Sequence, residues 1–251
     1  MQIPNVAKFG GGVFSSESKM PLLRAAVDYE LARSKKLIVV VSAIGKTTDD
    51  IISGIPAAAT PATRDAMMSV GETVSSRLFA KYLLANGFRA AAFSGWDAGI
   101  TTDSQFGDAR IIQVDPAPLT DFFRHNDVAV VAGFQGANER GEITTLGRNG
   151  SDTTAVYLAY RFASKICTLY KDVDGIFEAN PKARSDARLY KYLNHKELFD
   201  GEAKGIVHAR ALGLIKNRFA TGGETEIVVR NIDLARESFT TICHKATEVY
   251  R

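Results

Sequence analysis

The stretch Lys36-Leu37-Ile38-Val39-Val40-Val41 contains an unbroken apolar run, and this run indicates the fold class. An apolar run without polar alternation predicts a strand that is buried on both faces, as the strands of parallel sheets are. The preceding segment, residues 21–35, has apolar side chains near helical spacing. A helix that leads into a strand covered on both faces is typical of the βαβ units that build parallel sheets.

The alternation of strands and helices continues along the chain. We predict further strands at residues 88–93, 127–134, 166–170, 226–230 and 239–243, and further helices at residues 64–86, 151–165 and 205–217. Residues 95–107 are expected to form a polar loop, and residues 179–188 a charged loop that could act as a flap. The pattern predicts an α/β protein with a mainly parallel sheet between helices. Ligands bind such sheets at the carboxyl ends of the strands.

Composition excludes several classes of protein. The chain has 251 residues, of which 45% are hydrophobic and 24% charged, so it can bury the core of one large domain or two lobes. The net charge is +3, and the sequence has no run of lysine or arginine that would indicate nucleic-acid binding. No apolar run approaches the ~18 residues of a membrane span. Cys167 and Cys243 form no CxxC pair, so we expect a cytoplasmic protein. From the charge and the apolar runs, we expect neither nucleic-acid nor membrane partners.

Residues 146–155, Leu-Gly-Arg-Asn-Gly-Ser-Asp-Thr-Thr-Ala, give the clearest indication of a binding site. Their glycines allow a ligand to approach the backbone closely, and Ser151 or Asp152 is placed to cap the helix that follows. Arg148 would add a fork of donors beside a helix N-terminus, where anions are favoured. The segment predicts a site for a phosphorylated or carboxylated small molecule. A helix cap after a tight turn is the alternative interpretation.

A second glycine segment, Lys8-Phe9-Gly10-Gly11-Gly12, follows a short apolar start. Its backbone N–H groups could turn toward a phosphate chain, and Lys8 could add a point charge. Ser15 stands where a dinucleotide-binding fingerprint needs its last glycine, so that motif is absent. Val40 likewise stands where a P-loop ending at residues 45–47 needs its first glycine. A flexible N-terminal turn remains the alternative.

Acidic residues beside glycines mark two further candidate sites. Gly71 lies within a predicted helix, which indicates close approach by a partner or ligand, and Glu72 follows it. Residues 171–177, Lys-Asp-Val-Asp-Gly-Ile-Phe, follow a predicted strand and could shape a ribose or metal-phosphate contact. A surface glutamate and a solvated turn are the alternatives. The acids do not match an EF-hand and the histidines lack ligand spacing, so no protein-held metal is predicted.

These segments together resemble those of an aspartate kinase catalytic domain of the amino-acid kinase family. The matching segments are Lys8-Phe9-Gly10-Gly11, Val40-Val41-Ser42-Ala43, Ser69-Val70-Gly71-Glu72, Gly133-Phe134-Gln135-Gly136, residues 144–155, Asp172-Val173-Asp174-Gly175-Ile176 and His208-Ala209-Arg210-Ala211-Leu212. The resemblance implies a three-layer αβα sandwich with a central, mainly parallel sheet, the carbamate-kinase-like fold. It also implies a single amino-acid kinase domain over residues 1–251. Approximately residues 1–155 would form an amino-acid-binding N-lobe and residues 156–251 an ATP-binding C-lobe.

The same resemblance implies a reaction and roles for individual residues. The reaction is transfer of phosphate from ATP to the side-chain carboxylate of L-aspartate, or a close analogue, which gives 4-phospho-L-aspartate and ADP. The implied catalytic residues are Lys8 and Asp152, and the implied substrate-binding residues are Ser42, Thr48, Glu72, Arg148 and Ser151. The implied nucleotide-binding residues are Lys8, Gly10, Gly11, Gly12, Lys171, Asp172, Asp174, Gly175, Phe177 and Lys182. Mg²⁺ would be held mainly by the ATP phosphates, and a homodimer is common in the family.

The chain departs from the family pattern mostly in its nucleotide half. Gly12-Val13 replaces two hydroxyl residues, Lys171 a common threonine and Phe177 a common tyrosine. Asn180-Pro181-Lys182 replaces Asp-Pro-Arg, and a lysine expected near residue 204 is out of register. The chain ends where aspartate kinases begin their ACT domains, so we expect no ACT domain here. Two alternatives follow: a family enzyme with another small acceptor, and a non-catalytic paralogue that binds a ligand or a partner.

Overall fold

The computed structural model describes residues 2–15, 17–179, 181, 183–197, 210–211, 213–215 and 225–250. Lys182 and most of the helix predicted at residues 205–217 lie outside these ranges. Residues 210, 211 and 213–215, which belong to that predicted helix, are helical. Within the described ranges, no helix has the length and apolar character needed to cross a membrane.

The strands of the described residues form two sheets. In chain order they are β1 (Asn5–Phe9), β2 (Leu37–Val41), β3 (Ala90–Phe93), β4 (Ile100–Thr102), β5 (Ile111–Val114), β6 (Val128–Ala132), β7 (Gln135–Asn138), β8 (Ile143–Thr145), β9 (Ile166–Lys171), β10 (Tyr190–Asn194), β11 (Glu226–Asn231), β12 (Phe239–Cys243) and β13 (Glu248–Val249). Nine strands form the larger sheet in the order β13-β10-β12-β11-β9-β1-β2-β6-β3, and four form the smaller in the order β5-β4-β7-β8. In the larger sheet, β12 runs antiparallel to β11, and β13 to β10. Its other pairs are parallel, as the apolar runs predicted.

Helices cover both faces of the larger sheet. The helices of the described residues are α1 (Met20–Arg33), α2 (Thr47–Gly54), α3 (Pro61–Met68), α4 (Val70–Ala85), α5 (Ala117–Phe122) and α6 (Gly150–Arg161), with a 3₁₀-helix at Glu17–Lys19. Of these, α1 and α4 pack on one face of the larger sheet and α6 on the other. Alternate residues of β2 face opposite layers because side chains alternate along a strand. Val40 packs in the cluster that contains residues of α6, and Val39 in the cluster that contains residues of α1 and α4. The three-layer αβα sandwich is therefore confirmed.

The single helix predicted at residues 64–86 is wrong, because the structure has two helices there, α3 and α4. They are separated at Ser69, whose carbonyl accepts a hydrogen bond of 2.8 Å from the side-chain amide of Gln135. Gly71 consequently lies in the first turn of α4 rather than in a helix interior. The residue that approaches Gly71 closely belongs to the chain itself and is not a partner or ligand: a Cβ at Gly71 would lie 2.8 Å from the Cβ of Ala43.

Three further expectations differ from the structure. The loop predicted at residues 95–107 contains the strand β4, which pairs with β5 and β7 in the smaller sheet. The predicted helices include none directly after β2, whereas the structure has α2 there, beginning at Thr47. The helix predicted to reach residue 165 ends at Arg161, because Ala163 adopts a left-handed φ of 51° that a helix cannot accommodate.

Candidate active site

Two lysines and one aspartate meet where β1, β9 and α6 come together. Lys8 lies near the end of β1, and Lys171 ends the neighbouring parallel strand β9. Asp152 lies in the first turn of α6. One Asp152 carboxylate oxygen is 2.8 Å from the Lys8 Nζ, and the other is 3.1 Å from the Lys171 Nζ. The predicted convergence of Lys8 and Asp152 is therefore present in the structure.

Electrostatics of this cluster favour an anionic ligand. Burial alone would raise the pKa of Asp152, but the neighbouring Lys8 and Lys171 ammonium groups outweigh it, so the pKa is lowered. Burial is the largest cause that lowers the pKa of Lys171, with Lys8 adding to it and Asp152 opposing it. Two ammonium groups against one carboxylate leave one surplus positive charge in a poorly hydrated site. Such a charge attracts phosphate or carboxylate groups more strongly than one in open water.

The start of α6 differs from the prediction that Ser151 or Asp152 caps the helix. The residue at the N-cap position is Asn149, which adopts a left-handed φ of 53° and makes no side-chain cap hydrogen bond. Asp152 cannot cap the helix because both its oxygens are directed to lysines. Ser151 is buried and packs closely on Gly133, where a Cβ would lie 2.7 Å from the Ser151 Oγ.

Glu72 supplies the opposite charge on the other side of the site. Its Oε1 accepts the backbone N–H of Ala43 at 3.1 Å, and its buried Oε2 has no hydrogen-bond partner among the described residues. Burial raises the pKa of Glu72 to about 7, although the Ala43 hydrogen bond and the charge of Lys8 oppose the rise. A buried acceptor without a partner is costly. A cationic ligand group would relieve that cost.

One cleft of about 490 Å³ joins these groups. It brings together all of the predicted substrate-binding residues with part of the predicted phosphate-binding set. Those lining residues are Lys8, Gly11, Ser42, Thr48, Glu72, Arg148 and Ser151. Arg148 is exposed and has no ion pair within the described ranges, so its donors are available to a ligand. The cleft therefore presents the Glu72 acceptor and two cations, Lys8 and Arg148, to the same small volume.

The glycine loop after β1 lies against the lysine cluster and the segment after β9. A Cβ at Gly10 would lie 3.4 Å from the Lys8 Nζ, and one at Gly12 would lie 3.6 Å from Oδ2 of Asp172. Because Gly10 and Gly12 have no side chain, the backbone of the glycine loop lies close to both Lys8 and Asp172. Val13, which stands in place of a family hydroxyl, is buried in the core with 1% exposure and offers no polar group to a ligand.

The other predicted nucleotide residues form the turn that follows β9. Asp174 accepts hydrogen bonds of 3.0 Å from Asn231 and Arg236, so its carboxylate fixes this turn to β11. A Cβ at Gly175 would lie 2.6 Å from the Thr240 Oγ1, so only glycine fits there. Phe177 forms a β-bridge with residue 189. These residues do not line the 490 Å³ cleft, and Lys182 lies outside the described residues.

Comparisons with known proteins identify the family of the chain. The model of the amino acid kinase family matches residues 4–242. The chain belongs to that family. The aspartokinase of Geobacillus stearothermophilus is 39% identical over 217 residues, which cover 84% of this chain and 53% of that protein. Aspartokinase 2 of Bacillus subtilis (strain 168) is 37% identical with the same coverage.

The chain spans about half the length of the curated relatives it matches. Its fold is also that of a solved structure, E. coli aspartokinase III in complex with aspartate and ADP. The two agree with a TM-score of 0.85 at 22% identity, over 97% of this chain and 65% of that chain. The similarity shows that this chain has the same fold as the matching part of that structure.

Sequence reasoning missed one residue that shapes the cleft. Asp65, on α3, is buried with 1% exposure, and its Oδ2 accepts the backbone N–H groups of Gly107 and Thr145 at 2.8 and 2.7 Å. Both of those residues line the cleft, so Asp65 holds its wall in place. The only signal in the sequence was one acid in an amphipathic helix, which is indistinguishable from a solvent-exposed position.

Proposed function

We propose that the chain catalyses transfer of the γ-phosphoryl group of ATP to the side-chain carboxylate of aspartate or a close analogue. The observation that carries the proposal is the union, in one cleft, of the Lys8 ammonium with Glu72 and Arg148. An amino acid with an acidic side chain carries an ammonium and two carboxylates, and these residues complement its charges. The 35–39% identity to curated aspartokinases supports the same acceptor.

The acceptor half of the cleft fits the amino acid backbone of such a substrate. The free Oε2 of Glu72 would accept the substrate ammonium, and Arg148 would hold a carboxylate through two parallel hydrogen bonds. The hydroxyls of Ser42 and Thr48 lie on the same cleft wall and would complete the polar contacts. Positioning of this kind presents the reacting carboxylate to the phosphoryl group and supplies much of the rate enhancement.

The lysine half would stabilise the transferring phosphoryl group. An oxygen of the acceptor carboxylate forms the new bond to the γ-phosphorus. The bond from phosphorus to the β–γ bridging oxygen breaks, and ADP leaves with its electron pair. Lys8 and Lys171 would neutralise charge on the phosphoryl oxygens while Asp152 keeps their ammonium groups in place. No general base is needed, because the acceptor is ionised at neutral pH.

We propose that Mg²⁺ enters as the complex with ATP. Within the described ranges, no group of three or more histidine, cysteine or acidic side chains could hold a metal ion. Both Asp152 oxygens already lie beside lysines, and Asp174 is bound to Arg236. Asp172 is the exposed acid nearest the glycine loop. It would contact the ion or its waters while the phosphates supply the main ligands, a common arrangement for Mg²⁺.

Trapping of the acyl phosphate with hydroxylamine tests the proposal. Incubation with MgATP and aspartate should yield the hydroxamate, and Lys8→Ala should lower its formation by about 10²–10³-fold, as loss of a transition-state charge contact does. Lys35→Ala, at an exposed position before β2, is the matched control and should retain activity. Absence of hydroxamate with aspartate and glutamate would overturn the proposal.

A second measurement distinguishes the two alternatives, an enzyme with another small acceptor and a non-catalytic paralogue. Calorimetry should detect MgATP binding by the wild-type chain. MgATP binding without hydroxamate would favour an enzyme with another small acceptor, which a screen for ADP release would identify. Failure of both MgATP binding and turnover would favour a non-catalytic paralogue.

We further propose that the protein forms a homodimer through α4. Val70, Val74 and Leu78 are 48%, 45% and 49% exposed and recur at every fourth position, so they form one apolar stripe on the helix. Covering such a stripe would remove apolar surface from water. Leu78→Glu should convert the dimer to a monomer in sedimentation experiments, whereas Ile112→Glu, at an equally exposed apolar position of β5, should not.

A further inference from the structure

A second cavity lies on the opposite side of the larger sheet from α6. The α1 and α4 helices cover this face over β1, β2, β6 and β3. Farther along the sheet, the same face of β9, β11, β12 and β10 carries polar side chains mixed with the apolar Ile166, Val228 and Phe239. The cavity, of about 270 Å³, lies over these strands and is bounded by Tyr29 and Arg33 of α1. Its size is suited to a small metabolite.

Arg230 lies at the base of this cavity. The residue is 5% exposed, and its guanidinium lies 5.0 Å from the ring centre of Tyr29 and 5.5 Å from that of Phe239. Its Nε has no hydrogen-bond partner among the described residues. No carboxylate of the described part of the chain forms an ion pair with it either. Aromatic rings cover the faces of a guanidinium but leave its N–H groups unsatisfied.

The carboxylate of Glu30, buried near β9, does not compensate for Arg230. It accepts hydrogen bonds from Thr168 and Tyr170 at 2.7 and 3.0 Å, and from Asn5 at 3.1 Å. These bonds engage both its oxygens with neutral donors. An arginine buried without a partner is costly. Such a cost is relieved when an anion binds to the free N–H groups.

The rim of the cavity repeats the excess of positive charge. Arg33 and Lys245 line it without an ion pair within the described ranges, although Arg33 donates a hydrogen bond to the Tyr29 hydroxyl. Lys191 also lines the cavity and pairs with Glu248 at 3.2 Å. Glu226 is the one acid among the described lining residues. The lining therefore carries more cations than anions around Arg230.

The geometry points to a binding site for a small anion with a planar portion. Its carboxylate or phosphate group would accept hydrogen bonds from Arg230, with Arg33 and Lys245 adding charge at the rim. Its planar portion would pack on Tyr250, whose side chain also lines the cavity, because the Nζ atoms of Lys245 and Lys191 already lie 4.2 and 5.4 Å from the ring centre of Tyr192. The site is separate from the Lys8 cleft, which shares none of its described lining residues. It does not depend on the function proposed above.

The ¹H–¹⁵N resonance of the Arg230 Nε–H group reports on this site directly. Spectra of arginine side chains in the full chain would be recorded during titration with benzoate and, separately, with inorganic phosphate. Arg230→Lys assigns the resonance. We expect a saturable shift with a Kd in the millimolar range. Tighter binding of benzoate would identify a carboxylate with a ring as the preferred ligand, and tighter binding of phosphate would identify a phosphate.

Variants at the rim keep the test decisive if Arg230→Lys fails to fold. Lys245→Ala should weaken binding about three- to tenfold by removing a cation from the rim. Arg33→Gln, at an exposed position, should act in the same direction. Lys46→Ala, an exposed lysine beside the other cleft, should leave the titration unchanged. The proposal is overturned if neither anion gives a saturable shift up to about 50 mM, or if Lys46→Ala and Lys245→Ala weaken binding equally.

Discussion

Replacement of Glu72 by glutamine should separate the stability of the protein from its ability to bind a substrate ammonium. Glutamine keeps the shape of the side chain and an oxygen that can accept the Ala43 N–H, but it removes the charge. The Glu72 side chain is 4% exposed. Burial raises its pKa from the ordinary value of 4.5 to about 7, so the ligand-free protein loses stability when this group ionises.

The magnitude follows from linkage between protonation and folding. Because the folded protein holds the Glu72 proton more tightly than the unfolded chain, the free energy of unfolding falls as pH rises between 4.5 and 7. The pKa rises from 4.5 to about 7 on folding, and at about 1.36 kcal/mol per pKa unit this corresponds to about 3 kcal/mol of unfolding free energy. This stability is fully present below pH 4.5 and is lost above pH 7. The free energy of unfolding of Glu72→Gln should therefore exceed that of the wild type by about 3 kcal/mol at pH 8.

Urea unfolding of the ligand-free proteins at pH 5 and pH 8 measures this difference. The free energy of unfolding of Glu72→Gln should exceed that of the wild type by about 3 kcal/mol at pH 8 and by less than about 1 kcal/mol at pH 5. Glu139→Gln, an exposed position, should show no pH-dependent advantage. Calorimetry at pH 8 should show that Glu72→Gln binds aspartate at least tenfold more weakly. An equal stability difference at both pH values would refute the reasoning.

Three further perturbations test the core of the site. Asp152→Asn leaves the ammonium groups of Lys8 and Lys171 facing a neutral amide and should cost about 3–5 kcal/mol in urea unfolding; a cost below about 1 kcal/mol would contradict this. Gly133→Ala places a Cβ 2.7 Å from Ser151 and should cost about 1–3 kcal/mol by overpacking. Gly54→Ala, with nothing within 4 Å, should change Tm much less, and equal Tm shifts would exclude the steric explanation. Lys171→Met should lower hydroxamate formation about ten- to a hundredfold, and unchanged turnover would remove Lys171 from catalysis.

The central sheet could be predicted from the sequence because its strands are uniformly apolar. β2 and β6 are buried at every position, which gives an unambiguous signal. The smaller sheet could not be predicted, because β7 and β8 are short, polar and without periodicity. At the junction of α3 and α4, the Ser69 carbonyl accepts a hydrogen bond from Gln135, which is 66 residues away along the chain. A contact at such a separation leaves no local pattern.

The site could be predicted in part for a similar reason. Lys8 and Glu72 were identifiable as charges beside glycine segments, and the structure brings them to one cleft. The ion pair between Lys171 and Asp152 was not predicted, because it depends on the packing of α6 against β9 rather than on local sequence. For the same reason Asp152 was interpreted as a possible helix cap. The assigned roles of these residues in binding and catalysis remain predictions.

The adjacency of β1 and β9 limits how the molecule can open. Lys8 and Lys171 belong to opposite sides of the expected lobe boundary near residue 155, yet their strands share a continuous backbone hydrogen-bond ladder from Val6 to Phe9. Separation of the two halves as independent rigid bodies would break that ladder. Ligands can therefore enter and leave the cleft by movement at its rim, which includes residues 147–149, while β1 and β9 stay paired.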